Sequence, residues 1–415
     1  MSMHSAGPAP ILFAHYGENW IRGSERTLLD LLTHIDRNRF LPVLWCNGEM
    51  VADEARKLDV TVYQSRFTVL YDWEPPRYEF ARFASLVREG RKIVRAHGIR
   101  VLHANSAAPN QWLVPVSRSL RVPLLCHLLA PYSARERFTL GVHLATLVAG
   151  VTRGCTDDLL ADGLRKSSIS TIHCGIDLGA WQGWDQSGLR SQLGIRAEDI
   201  VITQVGSLIR RKGHDILLRA VADLRQVRPN IRVLLIGDGP DRREIENVVR
   251  ELGLVDIVHT LGFVDSPAGV IFRDATDIAV SPSRVEGFGL TVIEAGAAGR
   301  PVIATATTGM SEIITSERTG LIVPIEDQAR LYAALLRLVD NASLRMQLGT
   351  ALQSVVNEKF VIGKYVSGFE AAYEQLMRIP SQQLGWMRDV SGDTLAMYAR
   401  WVGGTLSRRV RRLVG

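Results

Sequence analysis

Ser281-Pro-Ser-Arg-Val-Glu-Gly-Phe-Gly-Leu-Thr-Val-Ile-Glu294 carries the decisive pattern of this chain. An apolar, strand-like run ends at Val280. A loop with Pro282, Gly287 and Gly289 follows, and helical spacing then runs from about Leu290 to Ala298. Gly299-Arg-Pro301 stops that helix, since glycine ends helices and proline cannot continue them. Strand, glycine loop and helix in that order predict an α/β unit. Gly287, Phe288, Gly289 and Leu290 would then lie at a helix N-terminus. Free amides and the helix dipole suit a phosphate there, and glycine lets the backbone come close to it. Glu286 precedes the turn and Glu294 sits about one turn inside the helix. They do not share a helical face, so they are read as bracketing a ligand. One reaches toward a sugar and the other toward a nucleoside, whose ribose hydroxyls a carboxylate can accept.

The same alternation extends both ways. Strand-like runs at Ile11–His15, Leu41–Cys46, Val101–Ala104, Leu124–Leu128 and Ala145–Val151 alternate with helical patterns at Ser24–Ile35 and Glu79–His97. A polar stretch with Gly179, Gly183, Gly188 and Gly194 interrupts the pattern, and it marks a boundary. Strands are then expected at Ile200–Val205, Arg232–Ile236, Ile257–Leu261, Ile278–Val280, Val302–Ala304 and Leu321–Val323. Helices are expected at His214–Gln226 and Arg242–Leu252. This predicts two doubly wound Rossmann-like domains, each a parallel sheet covered by helices. The expected division is a domain over 1–180, a linker over 181–199, a second domain over 200–375 and a helical basic tail over 376–415.

Composition bounds the function. At roughly 150 residues per domain, 415 residues allow two or three. With 46% hydrophobic and 22% charged residues, disorder is excluded. A net charge of +6 favours anionic partners. Cys46, Cys126, Cys155 and Cys174 have no zinc spacing and read as core residues of a reducing compartment. No run of 18 apolar residues occurs, and Met1–Pro10 has no signal-peptide pattern, so a cytoplasmic protein is expected.

The segment from Ser281 to Glu294 resembles the E-x7-E signature of retaining glycosyltransferases of the GT-B fold, glycosyltransferase family 4 in particular. Val205-Gly-Ser-Leu-Ile-Arg-Arg-Lys-Gly213 is similar to that family's G-R-L-x-x-x-K-G loop. Leu234–Pro240, Gly262-Phe263, Thr308–Ile314 and Thr319–Pro324 resemble further family segments in the right order. The N-terminal half resembles it more loosely. Ile21–Leu28 is similar to a G-G-x-E-R segment with Arg22 in place of its first glycine, and Gly175-Ile-Asp177 to the end of an N-G-I-D segment.

The resemblance implies two Rossmann-like domains facing across a cleft, with the acceptor on the first and the donor nucleotide on the second. It implies a hexosyltransferase-type reaction with retention, in polysaccharide, glycolipid or glycoconjugate synthesis. His127, Glu286 and Lys212 would be catalytic, with His127 over the donor sugar. Donor contacts would come from Gly23, Ser207, Arg211, Lys212, Gly262, Phe263, Gly287, Phe288, Gly289, Leu290 and Glu294. Cations at the leaving diphosphate stabilise the transition state more than the ground state. Ser207 stands where the family has an arginine, which leaves Arg210 or Arg211 to compensate. No D-x-D motif of the metal-dependent type occurs, so neither metal nor cofactor is expected, and the nucleotide sugar is a substrate.

The expected partners are a nucleotide-sugar donor and a sugar or lipid-linked acceptor, with Tyr71–Pro76 read as an acceptor loop of the first domain. In the tail, Leu395, Tyr398, Trp401 and Val402 share a helical face ahead of Arg408, Arg409, Arg411 and Arg412. That helix either packs on the first domain or brings the protein to an anionic membrane surface on the inner face. A sugar-nucleotide epimerase on the same fold and a non-catalytic sugar-nucleotide binding protein are the alternatives. Nucleic acid is disfavoured, because the densest basic cluster is in the tail and not in an aromatic-rich stripe.

Overall fold

The structure is a computed structural model that describes residues 7–71, 76–386 and 394–403. Two compact units are present, Met1–His173 with Tyr365–Gly415, and Cys174–Lys364.

The first unit holds seven strands: β1 (Ala9–His15), β2 (Phe40–Cys46), β3 (Thr61–Gln64), β4 (Val101–Asn105), β5 (Leu124–Leu128), β6 (Leu147–Gly150) and β7 (Ile169–Thr171). Their order is β3-β2-β1-β4-β5-β6-β7, with every pairing parallel. The central strands are near-continuous apolar runs because helices cover both faces of a parallel sheet, and all of Leu124–Leu128 is buried. The second unit holds β8 (Ile200–Val205), β9 (Ile231–Ile236), β10 (Val258–Gly262), β11 (Ile278–Ser281), β12 (Val302–Thr305) and β13 (Leu321–Val323). Their order is β10-β9-β8-β11-β12-β13, again all parallel. Helix His214–Val227 buries Leu217, Val221 and Leu224 at helical spacing against this sheet.

The order of strands reverses between β1 and β4 in one unit and between β8 and β11 in the other. Doubly wound sheets bind ligands beyond the carboxyl ends of their strands at such a reversal. The loop after β8 contains Lys212, and the loop after β11 contains Glu286. Topology thus brings two separately expected motifs together.

The domain limits differ from the expected ones. The stretch 181–199 is docked on the second unit. Trp181 covers Gly269, the amide of Gln186 donates to Asp274 at 2.9 Å, and Arg190 pairs with Asp277. Polar composition and glycines marked it as a linker, but polar anchors hold it in place. The other departure is helix Ile362–Met377, which from Tyr365 onward belongs to the first unit. Its Tyr365, Phe369 and Tyr373 are buried against β1, β4 and β5, with Tyr373 edge-on to Phe13 at 6.2 Å. Arg39 adds ion pairs to Glu370 and Glu374, each at 2.6 Å.

The tail helix, 394–403, packs on the first unit through Met397, Tyr398 and Trp401. Trp401 stacks on Phe138 at 4.9 Å, and Tyr398 meets the same ring edge-on at 5.0 Å. Leu395 and Val402 were expected on that face, but both are exposed. Arg408, Arg409, Arg411 and Arg412, and positions 72–75 of the acceptor-loop candidate, lie outside the described residues. Among the described residues no helix is long and apolar enough to cross a membrane. All four cysteines are buried.

Phe369 is fully buried between His127, Tyr365 and Tyr373. Phe369→Ala is expected to destabilise the first unit by roughly 3–5 kcal/mol. Urea unfolding followed by tryptophan fluorescence measures this, and an unchanged midpoint would contradict the packing described.

Candidate functional site

At the carboxyl edge of the second sheet, backbone meets backbone. Gly213 ends the lysine loop with φ 69°, and a Cβ there would lie 2.1 Å from the carbonyl oxygen of Pro282. Only glycine permits that contact and that φ together. A Cβ on Gly237, at φ 129°, would lie equally close to the carbonyl oxygen of Gly206, so Gly237-Asp238-Gly239 turns with backbone packed on backbone. Hydrogen bonds extend the frame. The amide of Leu208 donates to Asp238 O at 3.1 Å, that of Arg284 to Arg211 O at 2.8 Å, and that of Arg210 to the Asp241 carboxylate at 2.5 Å.

On this frame, Lys212 Nζ donates to Glu286 Oε2 at 2.5 Å, and Ser283 Oγ is 3.4 Å from the same oxygen. Both charged side chains are mostly sheltered, with 18% and 14% of their surface exposed. A sheltered pair has stronger charge interactions than one in open water. Arg211 is exposed and donates to Val285 O at 3.2 Å. Ser207 is half-buried in the turn after β8, and it brings no charge.

The loop after β11 runs into helix Leu290–Ala297, capped by Gly289. Helix geometry leaves the amides of Leu290 and Thr291 without an intrahelical acceptor. Glu294 lies one turn further along and is half-buried. Phe288, expected at the ligand, instead turns its ring into the core against Phe360 at 5.6 Å. Only its backbone remains for a ligand. Gly262 closes β10, and the Phe263 ring beyond it is 75% exposed.

Gly23 and His127 belong to the first unit. Gly23 is exposed at the start of helix Gly23–His34. The turn before it rests on a buried network that sequence reasoning missed. Glu25 accepts from Ser24 Oγ at 2.7 Å and from the Arg22 amide at 3.0 Å, and it pairs with His15 Nε2 at 3.0 Å. Asn105 holds the other ring nitrogen of His15 at 2.9 Å. Burial acts to raise the Glu25 carboxyl, but the His15 and Ser24 bonds outweigh it and hold it below its usual range. Register was the missing signal, since His15 and Asn105 are paired residues on adjacent strands. The Arg22 guanidinium sits 4.0 Å over the Trp20 ring, a cation–π contact.

His127 was expected over a sugar, a role that needs a ring open to ligand. In the structure it is fully buried on the sheet face that helix Ile362–Met377 covers, 4.8 Å from the Phe369 ring and 5.6 Å from that of His103. Neither of its ring nitrogens has a protein partner. His103 shares a 2.6 Å hydrogen bond with the Tyr373 hydroxyl. The sequence motif alone carried no information on which face of the strand His127 takes.

Two family models match the chain in tandem: Glycosyltransferase Family 4 over residues 21–180 and Glycosyl transferases group 1 over residues 185–354. The two parallel-sheet units have the architecture of the GT-B fold. It is 30% identical over 203 residues to D-inositol 3-phosphate glycosyltransferase 2 of Catenulispora acidiphila, covering 47% of this chain and 48% of the relative. It is 34% identical over 185 residues to the lipopolysaccharide core biosynthesis glycosyltransferase LpsD of Rhizobium meliloti, covering 44% and 52%. The chain thus spans about half the length of the curated relatives it matches. Among solved structures, Anabaena HepE in complex with UDP and glucose superposes with a TM-score of 0.75 at 21% identity, covering 88% of this chain and 99% of that one. Sucrose-phosphate synthase from Thermosynechococcus elongatus follows at 0.72 and 21%, covering 89% and 99%.

Burial drives the His127 imidazole down to about 3, against an ordinary value of about 6.5. The neutral ring therefore favours the folded state. Its contribution is complete above pH ~6.5 and is lost as pH falls from there toward 3. His127→Phe is expected to lose less stability than the parent protein between pH 7 and pH 4. Urea midpoints across that range test this, and identical acid slopes would contradict it.

Proposed function

We propose that this protein transfers a hexosyl group, with retention, from a nucleotide sugar to an acceptor hydroxyl. The observation that carries the reading is the Lys212–Glu286 pair at the strand reversal of the second sheet, beside the N-terminus of helix Leu290–Ala297. In this reading the donor diphosphate takes the free amides of Leu290 and Thr291, with Lys212 and Arg211 as counter-charges. Charge grows on the leaving phosphate as the glycosidic bond breaks, so a fixed cation lowers the barrier more than it tightens ground-state binding. Glu286 exchanges its lysine partner for sugar hydroxyls, and Glu294 accepts from the ribose. The base falls to Gly262 and Phe263. No cofactor and no metal are needed, and a leaving phosphate oxygen takes the acceptor's proton on the same face. Catalysis then rests on positioning and charge.

The relatives support transfer to sugar or lipid-linked acceptors, since they are named for an inositol phosphate and a lipopolysaccharide core. A role in polysaccharide, glycolipid or glycoconjugate synthesis follows. The solved complex of HepE with UDP and glucose supports a nucleotide-sugar donor. Exposed Leu395 and Val402, followed in sequence by Arg408, Arg409, Arg411 and Arg412, favour peripheral association of a cytoplasmic protein with an anionic inner membrane face.

Purified protein and a panel of UDP-, GDP- and ADP-sugars test the reading. At least one is expected to bind saturably and to be hydrolysed or transferred. Glu294→Ala and Lys212→Ala are each expected to weaken kcat/KM on the order of tenfold to a hundredfold, from the loss of a charged hydrogen bond. Absence of binding to every nucleotide sugar would overturn it.

A further inference from the structure

Arg284 stands two residues before Glu286, and nothing in the expected motif gave it a task. Its side chain is 18% exposed, and all three of its nitrogens donate. Nη1 reaches the carbonyl of Arg210 at 2.6 Å and Asp215 Oδ1 at 2.9 Å. Nη2 reaches Asp215 Oδ2 at 2.8 Å, and Nε reaches Glu326 at 2.7 Å. Three separate segments are thereby tied to the loop after β11: the lysine loop, the first turn of helix His214–Val227, and the chain after β13. Burial raises the Asp215 carboxyl, but the Arg284 bonds outweigh this and hold it below its usual range. The Arg284 guanidinium is in turn held above its own, chiefly by Asp215.

The fork geometry matters. A planar guanidinium can give two parallel bonds to a carboxylate while also serving a carbonyl and a second carboxylate, and an ammonium cannot reproduce that. The carbonyl it grips is two residues from Lys212, as Arg284 itself is two residues from Glu286. The link therefore joins the two loops close to both the cation and the carboxylate of the site. The Gly213–Pro282 approach and the Arg284 amide bond already keep the two loops adjacent. Loss of the side chain leaves that adjacency and frees its fine setting.

We propose that Arg284 is a positioning residue for sugar transfer, fixing the lysine loop against the glutamate loop so that Lys212 and Glu286 stand at one working distance. This rests on the transferase reading for its kinetic consequence and on geometry alone for its structural one. A displacement of about 1 Å in a reacting constellation can cost about a hundredfold in rate. Asp215 is the partner that orients the fork, whereas Glu326 is 61% exposed and contributes little.

The test compares Arg284→Lys, Asp215→Asn, their combination and Glu326→Gln. The first readout needs no substrate: the acylation rate of the Lys212 amine by acetic anhydride in the full chain, mapped by mass spectrometry. Arg284→Lys and Asp215→Asn are each expected to raise it several-fold relative to other lysines, while Glu326→Gln leaves it unchanged. The second readout is steady-state kinetics with a nucleotide sugar that the parent protein turns over. Here kcat is expected to fall on the order of tenfold to a hundredfold in Arg284→Lys, with a smaller change in affinity for the nucleoside diphosphate. The double variant is expected to lose little beyond either single one. Unchanged Lys212 reactivity, or a melting temperature that falls while kcat stays at the parent value, would overturn the proposal. A parent protein that binds no nucleotide sugar, with Lys212 reactivity still responding to Arg284→Lys, would defeat the transferase reading and leave the strut standing.

Discussion

The close approach of Gly213 to the carbonyl of Pro282 is the constraint on which the site depends. Two loops that leave adjacent parallel strands, β8 and β11, come together without side chains between them. A β-carbon at Gly213 would force them apart, and with them the lysine and the glutamate that meet at 2.5 Å. Side-chain chemistry at this edge is therefore placed by backbone contact, and Arg284 trims the placement. Backbone contacts are short and stiff, so they define distances better than long flexible side chains do. That is the property a reaction driven by positioning and charge requires.

The first unit applies the same topology to a different end. Its strand order also reverses beside the first strand, and the loop there is held by the buried His15, Glu25 and Asn105 network. One face of its sheet is sealed by the aromatic residues of helix Ile362–Met377. His103 and His127 are enclosed by that seal, and burial lowers both imidazoles. The sheet end presents polar groups while the sheet face carries packing.

Much of the fold was legible because parallel strands and amphipathic helices have distinct periods. β5 and β8 fall on the expected residues, and helix His214–Val227 extends the expected one by a single position. The misses have local causes. β3 and β7 are short edge strands, and three of the four residues of β3 carry polar groups. Helix Asn110–Leu120 hides behind Pro115 in its interior. In the site, Lys212 and Glu286 were legible as separate motifs, but only the strand order joins them. The inward turn of Phe288 and the burial of His127 depend on partners 72 and 242 positions away, Phe360 and Phe369, which no local pattern shows. Arg284 was visible in the motif yet silent, because its four acceptors come from three other segments.

A crystal structure with a non-hydrolysable nucleotide sugar tests the central claim most directly. The account predicts the diphosphate on the amides of Leu290 and Thr291 with Lys212 Nζ within hydrogen-bond distance of it, and Glu286 turned to the sugar hydroxyls. Density for the ligand elsewhere on the chain, with the Lys212–Glu286 pair intact and the amides free, would contradict it.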